Sequence, residues 1–323
     1  MISRRQFLAT STLAAGAFAV GAQTKKQALI AISLDLEMAR NFPNWDDTHW
    51  DYEKGNLNEE AKRYAVEAAR RVKARGGVIH YFLVASALEQ ENVDWLKQIR
   101  DMGHFIGNHT YDHVYVRAQK LDEVQFKFAR APWLLDGKKP LQAVRENIEM
   151  ATAAIRKRLG IEPAGFRTPG GFADGLSGRP DVQKMFLDLG YKWISCKYPT
   201  HPNSNPPGTP PNDAIYQGIV KAQNEAQPFA YPSGLIDVPM SPLSDIVAFR
   251  GGKWDLDHFL KGVRLGVEWA IEHGAVYDYL SHPAVLSAKD PQFKTIEMIC
   301  DIVKKAGNRA RIVGLDEFAK RAV

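Results

Sequence analysis

From Ala28 onward, short apolar runs alternate with longer segments of helical period, and this rhythm restricts the chain more than any other feature. The strand-like runs are residues 28–36, 78–84, 104–107, 165–167, 191–196, 235–238, 275–280 and 311–313. The segments between them have recognisable helix ends. Asn58 precedes Glu59 and Glu60 as an N-cap, and that helix stops at Gly76-Gly77; others end at Gly103, Gly160, Gly190, Gly274 and Gly307. Strands separated by helices pair in parallel through right-handed crossovers, which predicts either a closed barrel or an open doubly wound sheet. No repeat and no linker divides residues 23–323, so they are read as a single domain.

The first 22 residues break the pattern. Ser3-Arg4-Arg5-Gln6-Phe7-Leu8 leads into an apolar stretch ending in small residues at Ala22, the layout of a secretory signal with paired arginines. The apolar run is shorter than the roughly 20 residues a membrane span needs, so a stable membrane anchor is not expected. Twin-arginine export to the periplasm or the medium is. Cleavage near Ala22 would remove Arg4 and Arg5, leaving 42 − 2 = 40 basic against 37 acidic residues, a net charge of +3. Those charges form no basic run, which speaks against nucleic-acid binding. Cys196 and Cys300 are expected to be two unpaired thiols.

Candidate chemistry gathers at the ends of the strand-like runs, where parallel α/β folds open their active sites. Ser33-Leu34-Asp35-Leu36-Glu37 carries an apolar strand into two carboxylates at i and i+2, which alternation places on one side. His109 and His113 follow the third run at a spacing that, in a first helical turn, puts two imidazoles on one face for a metal. Phe166-Arg167-Thr168-Pro169-Gly170-Gly171 sets an arginine before a turn whose backbone N–H groups can point at an anion. Leu280-Ser281-His282-Pro283 ends a strand with a histidine. Two irregular connections, residues 115–140 and the proline-rich 199–211, are candidate lids, and Trp45, Trp50 and Trp133 lie in connections where they would stack on a sugar or cover the core.

The succession Asp35-Leu36-Glu37, His109-Thr110-x-x-His113, Phe166-Arg167-Thr168-Pro169-Gly170 and Leu280-Ser281-His282 resembles the polysaccharide deacetylases of the NodB-homology type, carbohydrate esterase family 4. The likeness extends over nearly all of residues 23–323, including His80-Tyr81-Phe82-Leu83-Val84 and Gly107-Asn108-His109. It implies a distorted (β/α) barrel of seven to eight parallel strands and one divalent metal, usually zinc, held by a carboxylate and two histidines. By that likeness His109 and His113 are ligands, Asp35 the general base and His282 the general acid. The family's first motif often has a second aspartate directly after the first; Leu36 stands there, and the strand argument assigns the carboxylate ligand to Glu37. Its fourth motif often has an acid that orients the acid histidine. Residues 193–197 offer none, and Asp237 is a possible substitute.

The implied reaction is metal-assisted hydrolysis of an N- or O-acetyl group on a polysaccharide or oligosaccharide. Asp35 would take a proton from the attacking water, Arg167 would pair with Asp35, the Gly170 N–H would face the oxyanion, and His282 would protonate the leaving group. A rival keeps the site but changes the substrate to another non-peptide C–N bond, as in allantoinase-like or imide-hydrolysing relatives. A third reading, a carbohydrate-binding protein without catalysis, sits poorly with an acid and a base retained together. Oligomeric state has no signature in the sequence.

Overall fold

The first apolar run is β1 (Ala28–Leu36), nine residues buried throughout, in a computed structural model that describes residues 26–42, 52–201 and 206–322. Residues 1–22, Trp45, Trp50 and part of the 199–211 loop lie outside the described residues. After β1 come α1 (Glu59–Ala74), β2 (Ile79–Leu83), α2 (Asp94–Asp101), β3 (Phe105–Asn108), α3 (Phe126–Arg130), α4 (Pro140–Leu159) and β4 (Arg167–Phe172). They are followed by α5 (Pro180–Asp188), β5 (Trp193–Lys197), α6 (Asp213–Ala222), β6 (Phe229–Ala230), β7 (Ile236–Asp237), α7 (Leu256–His273) and β8 (Val276–Ser281). The last elements are α8 (Pro283–Lys289), α9 (Lys294–Ala306), β9 (Ala310–Ile312) and α10 (Leu315–Ala319). The Asn58 side chain caps α1 by accepting from the Ala61 N–H at 2.8 Å.

This is a mixed α/β domain built on parallel strands. β1 lies between β2 and β8, β3 pairs with β2, and β9 pairs with the first residues of β1, all in parallel. A second sheet has the order β4-β5-β7-β6, parallel except for β6. One parallel bridge, Asn108 to Phe166, joins the sheets, so the strands run β8-β1-β2-β3-β4-β5-β7. Among the described residues no backbone ladder joins β7 to β8. There Pro239 and Pro242 have no N–H to offer, and the Asp278 N–H donates to the Ser241 hydroxyl at 3.0 Å.

Alternation along β1 divides the interior. Ile30, Ile32, Leu34 and Leu36 face the outer helices and share a core with Ala65 of α1, Phe259 of α7 and Ile299 of α9. Leu29 and Ala31 face inward onto Phe82, Val276, Leu315 and Phe318. Ser33, Asp35 and Glu37 continue that inward row above this apolar floor, and all three are buried. A second external core gathers α4, α5 and the 114–135 excursion around β4 and β5; the excursion is not structureless, since it contains α3 and two 3-10 turns.

β4 departs from the reading of 165–167. It begins at Arg167 and continues through the proline and glycines, with a register shift: Arg167 faces Ser195 and Phe172 faces Lys197, five residues against two. The extra backbone bulges outward, Gly170 takes φ 75°, and Gly171 packs so closely that a Cβ would meet Tyr198 Cβ at 2.5 Å. Cys196 and Cys300 are free, buried and in different cores. No helix among the described residues is long and apolar enough to cross a membrane.

Candidate active site

Strand ends bring Asp35, Glu37, His109, His113, Arg167, Gly170 and His282 to one place. Glu37 is its hub. Its Oε2 lies 2.9 Å from His109 Nε2 and 2.8 Å from His113 Nε2, and its Oε1 lies 2.5 Å from Lys54 Nζ and 3.5 Å from His282 Nε2. Asp35 Oδ2 sits 4.0 Å from His109 Nε2. The mouth is a cavity of about 340 Å³ lined by Asp35, Glu37, Lys54, His113, Gly170 and His282, with Met38, Met240, Val247 and Leu280 on an apolar wall.

His109 and His113 do not lie on a helix. Residues 109–114 form an irregular loop in which Thr110 (φ 64°) and His113 (φ 59°) take left-handed backbone conformations, an uncommon state for non-glycine residues that surrounding structure must hold. Here the holders are side chains: Asn108 Oδ1 accepts from the Thr110 N–H at 2.7 Å, and Thr110 Oγ1 accepts from the Val114 N–H at 3.0 Å. Asn147 Oδ1 on α4 accepts from the N–H groups of both Tyr111 and Asp112. The four-residue spacing thus converges through a folded-back loop rather than a shared helical face. Asn147→Ala is expected to cost about 1–3 kcal/mol, because two half-buried donors lose their acceptor, and to weaken cobalt binding as His113 loses its position. Chemical denaturation and cobalt titration check the two effects.

His109 Nδ1–H donates to the Arg167 carbonyl at 2.9 Å, which turns Nε2 toward Glu37. For His113, burial first and then Lys54 bring the pKa down to about 4, so its ring is neutral at pH 7, as a ligand must be. Burial would raise the Glu37 carboxyl, but Lys54, His113, His282 and His109 outweigh it and hold the group well below the usual carboxylate range. One carboxylate oxygen and two imidazole nitrogens lie within 4.8 Å of one another. Donors of that type, ionised or neutral as required and facing an open cavity, fit a zinc-like divalent cation. Not every histidine has such a place: His80 and His104 bond to backbone groups, and burial lowers them to about 3 and about 4.

Arg167 is fully buried beneath the site. It donates to Asp35 Oδ1 at 2.9 Å, to Ser33 Oγ at 2.8 Å, to Ser195 Oγ at 3.2 Å and to Asp278 Oδ2, with its guanidinium 4.4 Å from the Phe82 ring centre. Across the cavity, His282 Nδ1–H donates to Asp245 Oδ1 at 2.9 Å and its backbone N–H donates to Asp245 Oδ2 at 2.7 Å. Burial opposes the charged ring, but Asp245 and Glu37 raise it to about 10. His282 is an imidazolium at neutral pH.

Asp245, not Asp237, is therefore the acid that orients His282. Asp237 is committed elsewhere: it accepts from the N–H groups of Cys196 and Lys197 and, at 2.5 Å, from the Tyr231 hydroxyl, with burial raising it to about 6. Asp245, Lys54 and Asp278 were the residues sequence reasoning missed. Asp278 had left a signal, an acid between Tyr277 and Tyr279 inside an apolar strand, which requires a buried cation. Lys54 and Asp245 lie in stretches of sequence where no hydrophobic period identifies them.

Residues 62–192 match the family model "Polysaccharide deacetylase". Among curated proteins none matches. Similar solved structures include a Mycobacterium smegmatis protein provisionally designated a polysaccharide deacetylase, at 13% identity and TM-score 0.61, covering 93% of this chain and 91% of that one. A Pseudomonas aeruginosa PAO1 protein with a similar designation is 14% identical at TM-score 0.59, with 90% and 89% covered. Puue allantoinase is equally similar, 14% identical at TM-score 0.60, with 92% and 91% covered. At these identities the likeness is one of fold.

Proposed function

We propose that this chain, whose residues 62–192 match the polysaccharide deacetylase family model, is a metal-dependent hydrolase that removes acetyl groups from a carbohydrate. The strand order β8-β1-β2-β3-β4-β5-β7 is read as a distorted barrel of seven parallel strands left open between β7 and β8. Residues 1–22 are read as a twin-arginine signal that takes the protein to the periplasm or beyond, where such glycans occur.

The observation that carries the reading is a pair of groups opposed across one donor set: a carboxylate held by an arginine and a histidine held by a carboxylate. Glu37, His109 and His113 would hold the cation, zinc first among those this donor set takes, which supplies Lewis acidity and lowers the pKa of water from 15.7 toward about 7. Asp35, with Oδ1 tied to Arg167, turns Oδ2 toward the ligands and takes the proton of the attacking water. His282 holds a proton on Nε2, which faces the cavity, and gives it to the leaving nitrogen or oxygen as the C–N or C–O bond breaks. The Gly170 N–H, on the bulge of β4, is the candidate oxyanion donor, a type of contact worth about 3 kcal/mol.

A second reading, hydrolysis of a cyclic amide, is favoured by one observation. The cavity is compact, about 340 Å³, and has an apolar wall, dimensions suited to a small ring as well as to one sugar unit. Treatment with a strong chelator should abolish acetate release from acetylated glycans, and zinc or cobalt should restore it. Cyclic amides assayed in parallel decide between the substrates. Activity on either class that survives complete metal removal would end the proposal.

A further inference from the structure

Asp35 and Glu37 leave the same side of β1 two residues apart, and each has its own buried organic cation: Arg167 for Asp35, Lys54 for Glu37. The second pairing is built with care. The Lys54 side chain is 3% exposed, and the backbone that delivers it is pinned at its own carbonyl and at the next residue. The Gly55 N–H donates to the Glu37 carbonyl at 2.8 Å, and Ser86 Oγ donates to the Lys54 carbonyl at 2.9 Å. Gly55 itself takes φ 88°, and a Cβ there would meet Ser86 Oγ at 2.2 Å, so the turn tolerates little else.

The result is a division of labour within one carboxylate. Oε2 faces both imidazoles, while Oε1 is taken by the ammonium. We propose that Lys54 is a positioning residue of the metal centre, restricting Glu37 to single-oxygen coordination and holding the affinity for a divalent cation down. This rests on the metal reading given under Proposed function. Two physical arguments support it. An ammonium hydrogen-bonded to a ligating carboxylate withdraws that oxygen from the ion; replacing a group in contact with a ligand usually costs about 10–100-fold in metal affinity, and the same size of effect is expected here with the opposite sign, because this contact is a cation competing for the carboxylate. A buried positive charge one carboxylate away from the ion also repels it, in surroundings where water screens little. Limiting Glu37 to one oxygen leaves coordination positions facing the cavity, where water and substrate must both fit.

The test uses full-length protein stripped of metal and compares wild type, Lys54→Met, Lys54→Gln and Lys54→Arg. Cobalt affinity is measured by competition with a chromophoric chelator, and coordination by the visible absorption of the cobalt form. Lys54→Met should bind cobalt at least about tenfold more tightly, with a weaker visible band as the second Glu37 oxygen joins and the coordination number rises. Lys54→Arg, which keeps the charge, should stay near wild type. Metal-free Lys54→Met should also melt lower than wild type, with the gap narrowing once cobalt replaces the missing charge. Should Lys54→Met not fold without metal, Lys54→Gln keeps a donor for Oε1 without the charge and should still bind cobalt more tightly than wild type, by the share the charge contributes. Affinity and spectrum unchanged in both neutral variants, with cobalt binding still lost in His109→Ala, would overturn this inference and leave the hydrolase reading standing. Folded wild type that takes up no cobalt would overturn both.

Discussion

Arg167→Met is expected to destabilise the protein by about 3–5 kcal/mol, the range for removing one partner of a buried ion pair. With Asp35 as the proposed base, it should also lower acyl hydrolysis by at least about a hundredfold, because that base loses its orienting partner. The guanidinium is fully buried and serves Asp35, Asp278, Ser33 and Ser195 at once. Without it two carboxylates remain in a dry interior with no cation between them. Burial already raises the Asp278 carboxyl, with Arg167 the chief opposing influence. In the variant Asp278 should rise further, and the folded state then binds more protons than the unfolded one near neutral pH. The deficit is therefore predicted to be larger at pH 7 than at pH 5, because stability falls with rising pH wherever the folded state holds the extra proton. Lysine should not rescue: a single ammonium cannot reach acceptors on four sides in the plane a guanidinium spans. Asp35→Asn provides the contrast, since Arg167 keeps Asp278 and the fold while the base is lost, so activity should fall about 10²–10⁴-fold with little change in the unfolding midpoint. Equal unfolding curves for Arg167→Met and wild type would show that the arginine does not hold the interior together.

The two variants also show where the sequence was informative. Elements with a strict period were legible to within a residue or two: β1 as 28–36, α1 from its Asn58 cap, β8 at the apolar run before His282. So was the placing of Asp35 and Glu37 on one side, because strand alternation is a local rule. What was not legible depended on partners far along the chain. The His109/His113 spacing suggests a helical face, yet the two rings converge through a loop held in part by Asn147, a residue on another element whose side chain accepts from Tyr111 and Asp112, between the left-handed positions Thr110 and His113. β4 was cut short because Pro169 and two glycines read as a turn, whereas pairing with β5 absorbs them as a bulge. For the acid that orients His282, the sequence offers none at residues 193–197 and only Asp237 as a possible substitute. The acid lies at Asp245, beside a π-helical turn at Ile246–Gly251 that has no repeating pattern to mark it. In each case tertiary contacts outweighed local preference.

Those contacts at His282 give the other large prediction, on pH dependence. Its folded-state pKa, about 10, lies above the ordinary histidine value of 6.5. A group raised in this way contributes stability that is fully present below pH 6.5 and is lost as pH rises through about 10. Metal-free protein should thus lose stability steadily across that interval, a loss that equilibrium unfolding at a series of pH values measures. In the loaded enzyme the cation adds repulsion near the ring, so the alkaline limb of the rate profile, which reports loss of the acid proton, should fall below 10. Asp245→Asn removes the largest charge supporting the imidazolium while leaving an oxygen for the His282 backbone N–H. Burial then dominates, and the ring should titrate below 6.5, carrying the alkaline limb down by more than about two pH units and leaving little acid form at pH 7. Leaving groups that need no proton, such as an activated aryl acetate, should be hydrolysed by Asp245→Asn nearly as fast as by wild type, while amide substrates should suffer most. Carbon-13 titration of labelled histidine and pH–rate profiles on both substrate types measure these changes, and an unmoved alkaline limb in Asp245→Asn would remove His282 from the role of proton donor.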